Sequence, residues 1–163
     1  MAGSETLYYS RIDSPAGHLL LVVSTRGLVA LEFRGGKIRE GWIESSEKTA
    51  PYASQLEEYF AGRRRCFDLP LDIRGTDFQK RCWQELLKIP YGETRSYAAV
   101  ARAMGNPTAV RAVGLANGQN PIAIIVPCHR VIGSDGSLTG YGGGLENKRK
   151  LLELEGALSG SLG

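Results

Sequence analysis

The chain has 163 residues, of which 42% are hydrophobic and 23% charged, and a formal net charge of +3. These proportions suit one domain or two small lobes and exclude a disordered chain. The longest apolar runs, Leu19–Val23 and Ile122–Val126, are far too short to span a bilayer. The start, Met1-Ala2-Gly3-Ser4-Glu5, lacks the basic and apolar regions of a secretory signal. A cytoplasmic location is expected (nuclear if eukaryotic), with no membrane partner. Three cysteines, Cys66, Cys82 and Cys128, cannot all pair, and none forms a Cys-x-x-Cys. With two histidines in the whole chain no familiar zinc spacing exists, so no metal site is read. Charge is uneven: −2 over residues 1–60, +5 over 61–111 and zero over 112–163. A basic middle segment suits a polyanion partner, against the plainer reading of a solvated helix surface.

The first third reads as strands. Leu19–Val23 and Leu28–Phe33 flank the turn Ser24-Thr25-Arg26-Gly27 and predict a hairpin. Arg34-Gly35-Gly36 breaks the pattern. Tyr52, Leu56, Tyr59 and Phe60 have helical spacing within Pro51–Phe60, which Gly62 ends. Cys66–Ile73 alternates and predicts another strand.

Thr76-Asp77-Phe78-Gln79 fits a capping box. Phe78, Cys82, Leu86 and Ile89, with Trp83 and Leu87, form the apolar stripe of the helix it opens, and Pro90-Tyr91-Gly92 stops that helix. A second helix is expected from Ser96 to Met104. Gly105 suits its left-handed end, Asn106 the cap of the next helix and Pro107 that helix's first position, which predicts a third helix from 107 or 108 to 117. The pair reads as a helix-turn-helix. Its second member is nearly bare: over Thr108–Ala116 the only charge is Arg111, and much of the rest is Ala or Gly. Ile122–Val126 predicts a buried strand ended by Pro127. Ser134–Ser137 reads as a turn, Gly140–Gly144 as a loop, and Leu145–Glu155 as a last helix closed by Gly156. The fold class is therefore α+β: a small amino-terminal α/β lobe with a short antiparallel sheet over residues 1–75, and a mostly helical carboxy-terminal lobe over 76–163.

Of the thiols, Cys82 lies on an apolar helix stripe and reads as core. Cys66 has arginines but no base beside it. Cys128 follows a strand end and a proline and precedes His129, the kind of junction where active-site groups gather. A free thiol is mostly protonated at neutral pH and needs a base. In an extended segment the two side chains would point to opposite faces, so a water or a bend must connect them. The histidine also needs an acceptor on its other nitrogen, with Glu146, Glu153 and Glu155 as candidates. A cysteine hydrolase is the rival use of this pair, and it would turn over repeatedly.

Pro127-Cys128-His129-Arg130-Val131 resembles the active-site motif of the O6-alkylguanine-DNA alkyltransferases. Arg111-Ala112-Val113-Gly114, Asn120-Pro121, Gly140-Tyr141 with Gly143-Gly144-Leu145, and Leu151–Gly156 follow in that family's order and spacing. The resemblance covers residues 76–156 closely. It implies a DNA-repair enzyme, a methylated-DNA–[protein]-cysteine S-methyltransferase that works once per chain without a cofactor. Its implied partner is double-stranded DNA containing O6-alkylguanine, bound by a monomer. By the same resemblance Cys128 is the alkyl acceptor, His129 takes its proton through a water, and Glu155 orients His129. Asn120 holds the loop between the recognition helix and the acceptor, and Tyr97 gives a proton to the leaving guanine. Arg111 enters the stack where the base left, with Thr108, Ala112 and Gly114 also against DNA. Tyr141, Gly142, Val131 and Asn117 line the base pocket. Gly142 stands where relatives often carry Ser, Ala123 where some carry Pro, and Asn117 where others carry an apolar residue.

No array of base-reading side chains is visible on the Arg111 helix, so binding should rest on phosphates. Titration of a short duplex at rising salt should show log affinity falling linearly with log salt, with little dependence on sequence.

Overall fold

Leu19 to Val23 are buried at every position, as befits an inner strand covered on both faces. In the computed structural model, which describes residues 5–33 and 37–158, this run lies in β2 (Gly17–Val23). β2 pairs antiparallel with β1 (Tyr8–Ser14) and with β3 (Leu28–Phe33). A two-residue β4 (Ile43–Glu44) adds to the other side of β1 in parallel, giving the order β3-β2-β1-β4. The sheet is thus mixed rather than purely antiparallel. Leu20, Val22 and Ala30 cluster with Leu7, Tyr9, Val29, Ile38 and Trp42. Helix α1 (Ser46–Phe60) lies against β1 and β2 and buries Tyr52, Leu56 and Tyr59. It starts five residues before the predicted Pro51, because the Ser45 hydroxyl accepts the Lys48 amide at 3.2 Å and supplies the cap. The break predicted at Arg34-Gly35-Gly36 lies outside the described residues.

Cys66–Ile73 is not a strand. It meets the sheet at one parallel bridge, Leu71 to Leu28, with Leu28 N–H donating to Pro70 O (3.1 Å) and Asp72 N–H to Leu28 O (2.7 Å). These residues pass so close to the β2–β3 turn that a Cβ on Gly27 would stand 2.6 Å from Pro70 O.

The chain divides into two units, Met1–Arg74 and Gly75–Gly163. The second opens on α2 (Asp77–Leu86). Its capping box is complete: the Thr76 hydroxyl accepts the Gln79 amide and the Gln79 side chain accepts the Thr76 amide. Cys82, Trp83 and Leu86 are buried along it, whereas Leu87, just past its end, is exposed. The indole N–H of Trp83 donates to Ala116 O at 2.8 Å and ties α2 to α4 (Val110–Gly118). Between them, β5 (Arg95–Ser96) leads into α3 (Tyr97–Ala103), whose cap is the Ser96 hydroxyl. Helix α4 starts later than predicted. Asn106 does not cap it: its carbonyl accepts the Ala109 amide and its side chain accepts the Thr108 hydroxyl, so Asn106–Ala109 closes as a separate turn. α4 has no side-chain cap.

Ile122–Val126 is not a strand either; it winds through turns while staying buried. Asn120 holds it at both ends, donating to Val126 O at 2.8 Å and accepting the Ile122 amide at 2.9 Å. Ile124 takes φ +71°, a region costly for a β-branched residue. Cys128–Arg130 then forms one 3-10 turn, followed by β6 (Val131–Ile132) and α5 (Leu145–Leu154). β6 pairs in parallel with β5.

Gly27→Ala should cost about 1–3 kcal/mol, because the added carbon meets backbone that cannot swing away. The denaturation midpoint of the variant, compared with the parent at equal slope, checks this.

Candidate active site

Cys128 and His129 are neither extended nor opposed. The 3-10 turn is closed by Arg130 N–H donating to Pro127 O at 3.0 Å and by Val131 N–H donating to Cys128 O. Consecutive side chains in such a turn are about 120° apart rather than 180°. Of the two connections the sequence allows, a water or a bend, the bend is present. All three residues of the turn are buried.

Of the three candidate glutamates, Glu155 meets the histidine: His129 Nε2 lies 2.8 Å from Glu155 Oε2. Glu146 and Glu153 are exposed. Arg130 converges on the same carboxylate, with Nε donating to Oε1 at 2.8 Å and Nη2 to Oε2 at 3.0 Å, while its Nη1 donates to Ile89 O at 2.7 Å. Burial alone would raise the Glu155 carboxyl; the hydrogen bonds from His129 and Arg130 outweigh it and hold its pKa at about 2. An ionised carboxylate only accepts, so Nε2 carries the hydrogen and Nδ1 is left as a lone pair. Burial pushes the His129 pKa down against the pull of Glu155, so the ring is neutral at pH 7. Nδ1 is itself buried and has no hydrogen-bond partner.

Burial also pushes the Cys128 thiol up, opposed by a hydrogen bond from Asn120 and by the charge of Lys148. Lys148 was not anticipated from sequence. It is wholly buried on α5, and its Nζ donates to Val131 O and to Thr139 O, each at 2.7 Å. Burial lowers its pKa to about 8. The signal was present: Lys148 shares the α5 stripe of Leu151, Leu152 and Glu155.

The β5–β6 ladder sets Arg95 opposite Val131 and Ser96 opposite Ile132. Tyr97, the next residue, opens α3 at the far end of this ladder. The Tyr97 hydroxyl is 2.9 Å from the Thr139 hydroxyl, and a Cβ on Gly114 would lie 3.9 Å from the Tyr97 ring. Asn117 is buried, and its amide donates to Cys128 O at 3.4 Å, a long bond. Val131 is buried, Tyr141 half-buried, and Gly142 exposed in open space. On α4, Arg111, Ala112 and Leu115 are exposed while Val113, Ala116 and Asn117 are buried; Thr108 is exposed ahead of the helix. Asn117, Asn120, His129 and Glu155 are thus linked by hydrogen bonds to the 3-10 turn and the residues before it, Tyr97 meets Thr139, and Arg111 and Ala112 lie on the open face of α4. Cys82 is buried among apolar residues, which pushes its thiol up to about 11, and Cys66 is exposed. Among the described residues no three His, Cys, Asp or Glu gather as a metal group, and no helix is long and apolar enough to cross a membrane.

Two family models match the chain. Residues 77–157 match the DNA-binding domain of 6-O-methylguanine DNA methyltransferase, and residues 7–73 match its ribonuclease-like domain. A methylated-DNA–protein-cysteine methyltransferase of Methanosarcina barkeri is 54% identical over 153 residues, covering 91% of this chain and 97% of the relative. One of Mycobacterium tuberculosis is 56% identical, covering 91% and 92%. A crystal structure of Mycobacterium tuberculosis OGT in complex with DNA superposes with a TM-score of 0.88 at 55% identity, covering 92% and 93%.

Glu155→Gln leaves the Arg130 guanidinium buried without its counter-charge, at an expected cost of about 3–5 kcal/mol. Acid sensitivity should change too. Both groups have folded pKa values below their ordinary 6.5 (His129) and 4.5 (Glu155), so their contributions are complete above those values and are lost as pH falls. Denaturation midpoints measured from pH 7.5 to 2.5 should decline below about 6.5 and again below about 4.5 in the parent. The lower stage should be missing from the variant.

Proposed function

The chain belongs to the methylated-DNA–protein-cysteine methyltransferases, and on that premise we propose how its residues share the work. The protein binds DNA and repairs it by moving an alkyl group onto one of its own cysteines. In our reading that cysteine is Cys128 and the substrate is O6-alkylguanine in a duplex.

The observation that carries this reading is the bare Nδ1 of His129, fixed as an acceptor by Glu155 and set on the same 3-10 turn as the thiol. The buried thiol stays protonated at rest and becomes a nucleophile when His129 takes its proton, directly or through a water. Thiolate sulfur attacks the alkyl carbon, the carbon–oxygen bond breaks, and the electron pair goes to the guanine O6. Tyr97 supplies a proton to the departing base, which lowers the barrier. The Lys148 charge and the Asn120 amide steady the sulfur while it is anionic. The product is a thioether, which thiol exchange does not reverse, so one chain performs one transfer.

The atom under attack is out of reach inside a duplex, so the nucleotide is extruded. The exposed face of α4 fits this task. Its small residues Ala112 and Gly114, with Thr108 ahead of the helix, permit close approach to a groove. Arg111 supplies the one long side chain that can occupy the gap. The uncapped N-terminus of α4 favours phosphate. Tyr141, Gly142, Val131 and Asn117 enclose the flipped base. Every group in this scheme comes from one chain, so a monomer suffices, acting where the genome is, in the cytoplasm (or the nucleus if the source is eukaryotic).

Mixing the protein with duplex DNA carrying labelled O6-methylguanine should place one label per chain on the Cys128 peptide. Cys128→Ala should abolish the transfer, and Cys66→Ser should leave it intact. Release of more than one repaired base per chain overturns the reading in favour of turnover chemistry.

A further inference from the structure

Thr139 stands where two parts of the site meet, and neither the family comparison nor the scheme above uses it. Its carbonyl oxygen accepts from the buried Lys148 ammonium at 2.7 Å, and the same ammonium holds Val131 O at 2.7 Å. The backbone of Thr139 is therefore anchored to α5 and to β6, although its side chain is exposed. From that anchor its hydroxyl reaches the Tyr97 hydroxyl at 2.9 Å. Tyr97 is constrained in turn, following the β5 pairing and lying beside Gly114.

A phenol has one hydrogen. If Tyr97 donates it to Thr139, none remains for a base. If Thr139 donates instead, the Tyr97 hydrogen is free to point elsewhere. A threonine hydroxyl can do either by rotating, since it carries one hydrogen and two lone pairs. We propose that Thr139 is a positioning residue for the transfer: its hydroxyl donates to Tyr97 Oη, aims the phenol hydrogen at the leaving guanine, and holds the charge left on Oη as that hydrogen departs. The inference rests on the reading of Tyr97 as the proton donor.

The proton count balances. The Cys128 thiol gives its proton to His129, and the sulfur–carbon bond forms as the carbon–oxygen bond breaks. The guanine takes the Tyr97 proton on a ring nitrogen. His129 then returns its proton to solvent and Tyr97 recovers one from solvent, so guanine gains one hydrogen and the thiol loses one. During the step Oη is anionic, and a hydrogen bond to an anion is stronger than one to a neutral oxygen. The contribution of Thr139 is thus larger in the transition state than in the ground state, and it belongs in the rate and not in the affinity.

The test compares Thr139→Val, Thr139→Ser, Tyr97→Phe and the double variant Tyr97→Phe/Thr139→Val in the full chain. Single-turnover methyl transfer is followed at saturating DNA carrying O6-methylguanine. Alkylation of the Cys128 peptide by iodoacetamide is the control, because iodide leaves without a proton. Thr139→Val should lower the limiting transfer rate about tenfold while leaving the half-saturating DNA concentration and the iodoacetamide rate unchanged. Thr139→Ser should restore the rate to within about twofold of the parent. The double variant should be no slower than Tyr97→Phe, since Thr139 acts only through that phenol. A parent-like rate in Thr139→Val, an equal slowing with iodoacetamide, or additive losses in the double variant overturns the proposal. A parent-like rate in Tyr97→Phe overturns the donor reading itself, and with it the role of Thr139.

Discussion

Three donors converge on one buried carboxylate, and the chemistry of the second unit follows from that meeting. Glu155 lies at the end of α5, His129 and Arg130 on the 3-10 turn, and Ile89 just past α2. Arg130 links the carboxylate to the Ile89 carbonyl, so three stretches far apart in the chain are held by one side chain. A lone carboxylate in such a place would be neutral. Two hydrogen-bonding neighbours make it anionic, and an anionic Glu155 leaves His129 a single tautomer. The buried charge is also what leaves Nδ1 of its neighbour as an open acceptor. In the proposed mechanism the thiol on the same turn stays neutral until a substrate arrives, which protects a nucleophile that is used once.

The groups that the proposed mechanism uses are positioned by short devices rather than by large elements. Two paired residues on each side, Arg95–Ser96 with Val131–Ile132, tie the segment that leads into α3 to the strand that follows the 3-10 turn. One asparagine, Asn120, spans the turns of Ile122–Val126, and the strain at Ile124 is held there by burial of the apolar residues around it. One lysine joins β6 to the segment before the glycine loop. Each device is a few hydrogen bonds deep, and each ends on a backbone carbonyl or amide.

Much of this was legible from residue order alone. The apolar run of β2, the Thr76 capping box, the Ser96–Met104 helix and the Cys128-His129 pair are local signals, and local chemistry decides them. Ile122–Val126 shows where such reading stops. Five apolar residues in a row report burial, and a buried turn and a buried strand look alike when the staple is a side chain outside the run. Cys66–Ile73 failed for a related reason: its alternation is real, but only Leu71 finds a strand edge to pair with. Asn106-Pro107 resembles a helix start, yet Asn106 spends its acceptors on its own turn. The choice among Glu146, Glu153 and Glu155 needed three dimensions. Lys148 was hidden by its type, since a lysine on an amphipathic helix ordinarily reads as solvent-facing.

The two tryptophans have an optical consequence. Trp42 is half-buried against the sheet of the first unit, whereas Trp83 is sealed in the second with its indole N–H bound to the Ala116 carbonyl on α4. Each unit thus carries one tryptophan, and the two sit in surroundings of different polarity. Emission from Trp83 reports any displacement of the helix that bears Arg111, and emission from Trp42 stands beside it as an internal reference, so an unlabelled chain reports its own engagement in light.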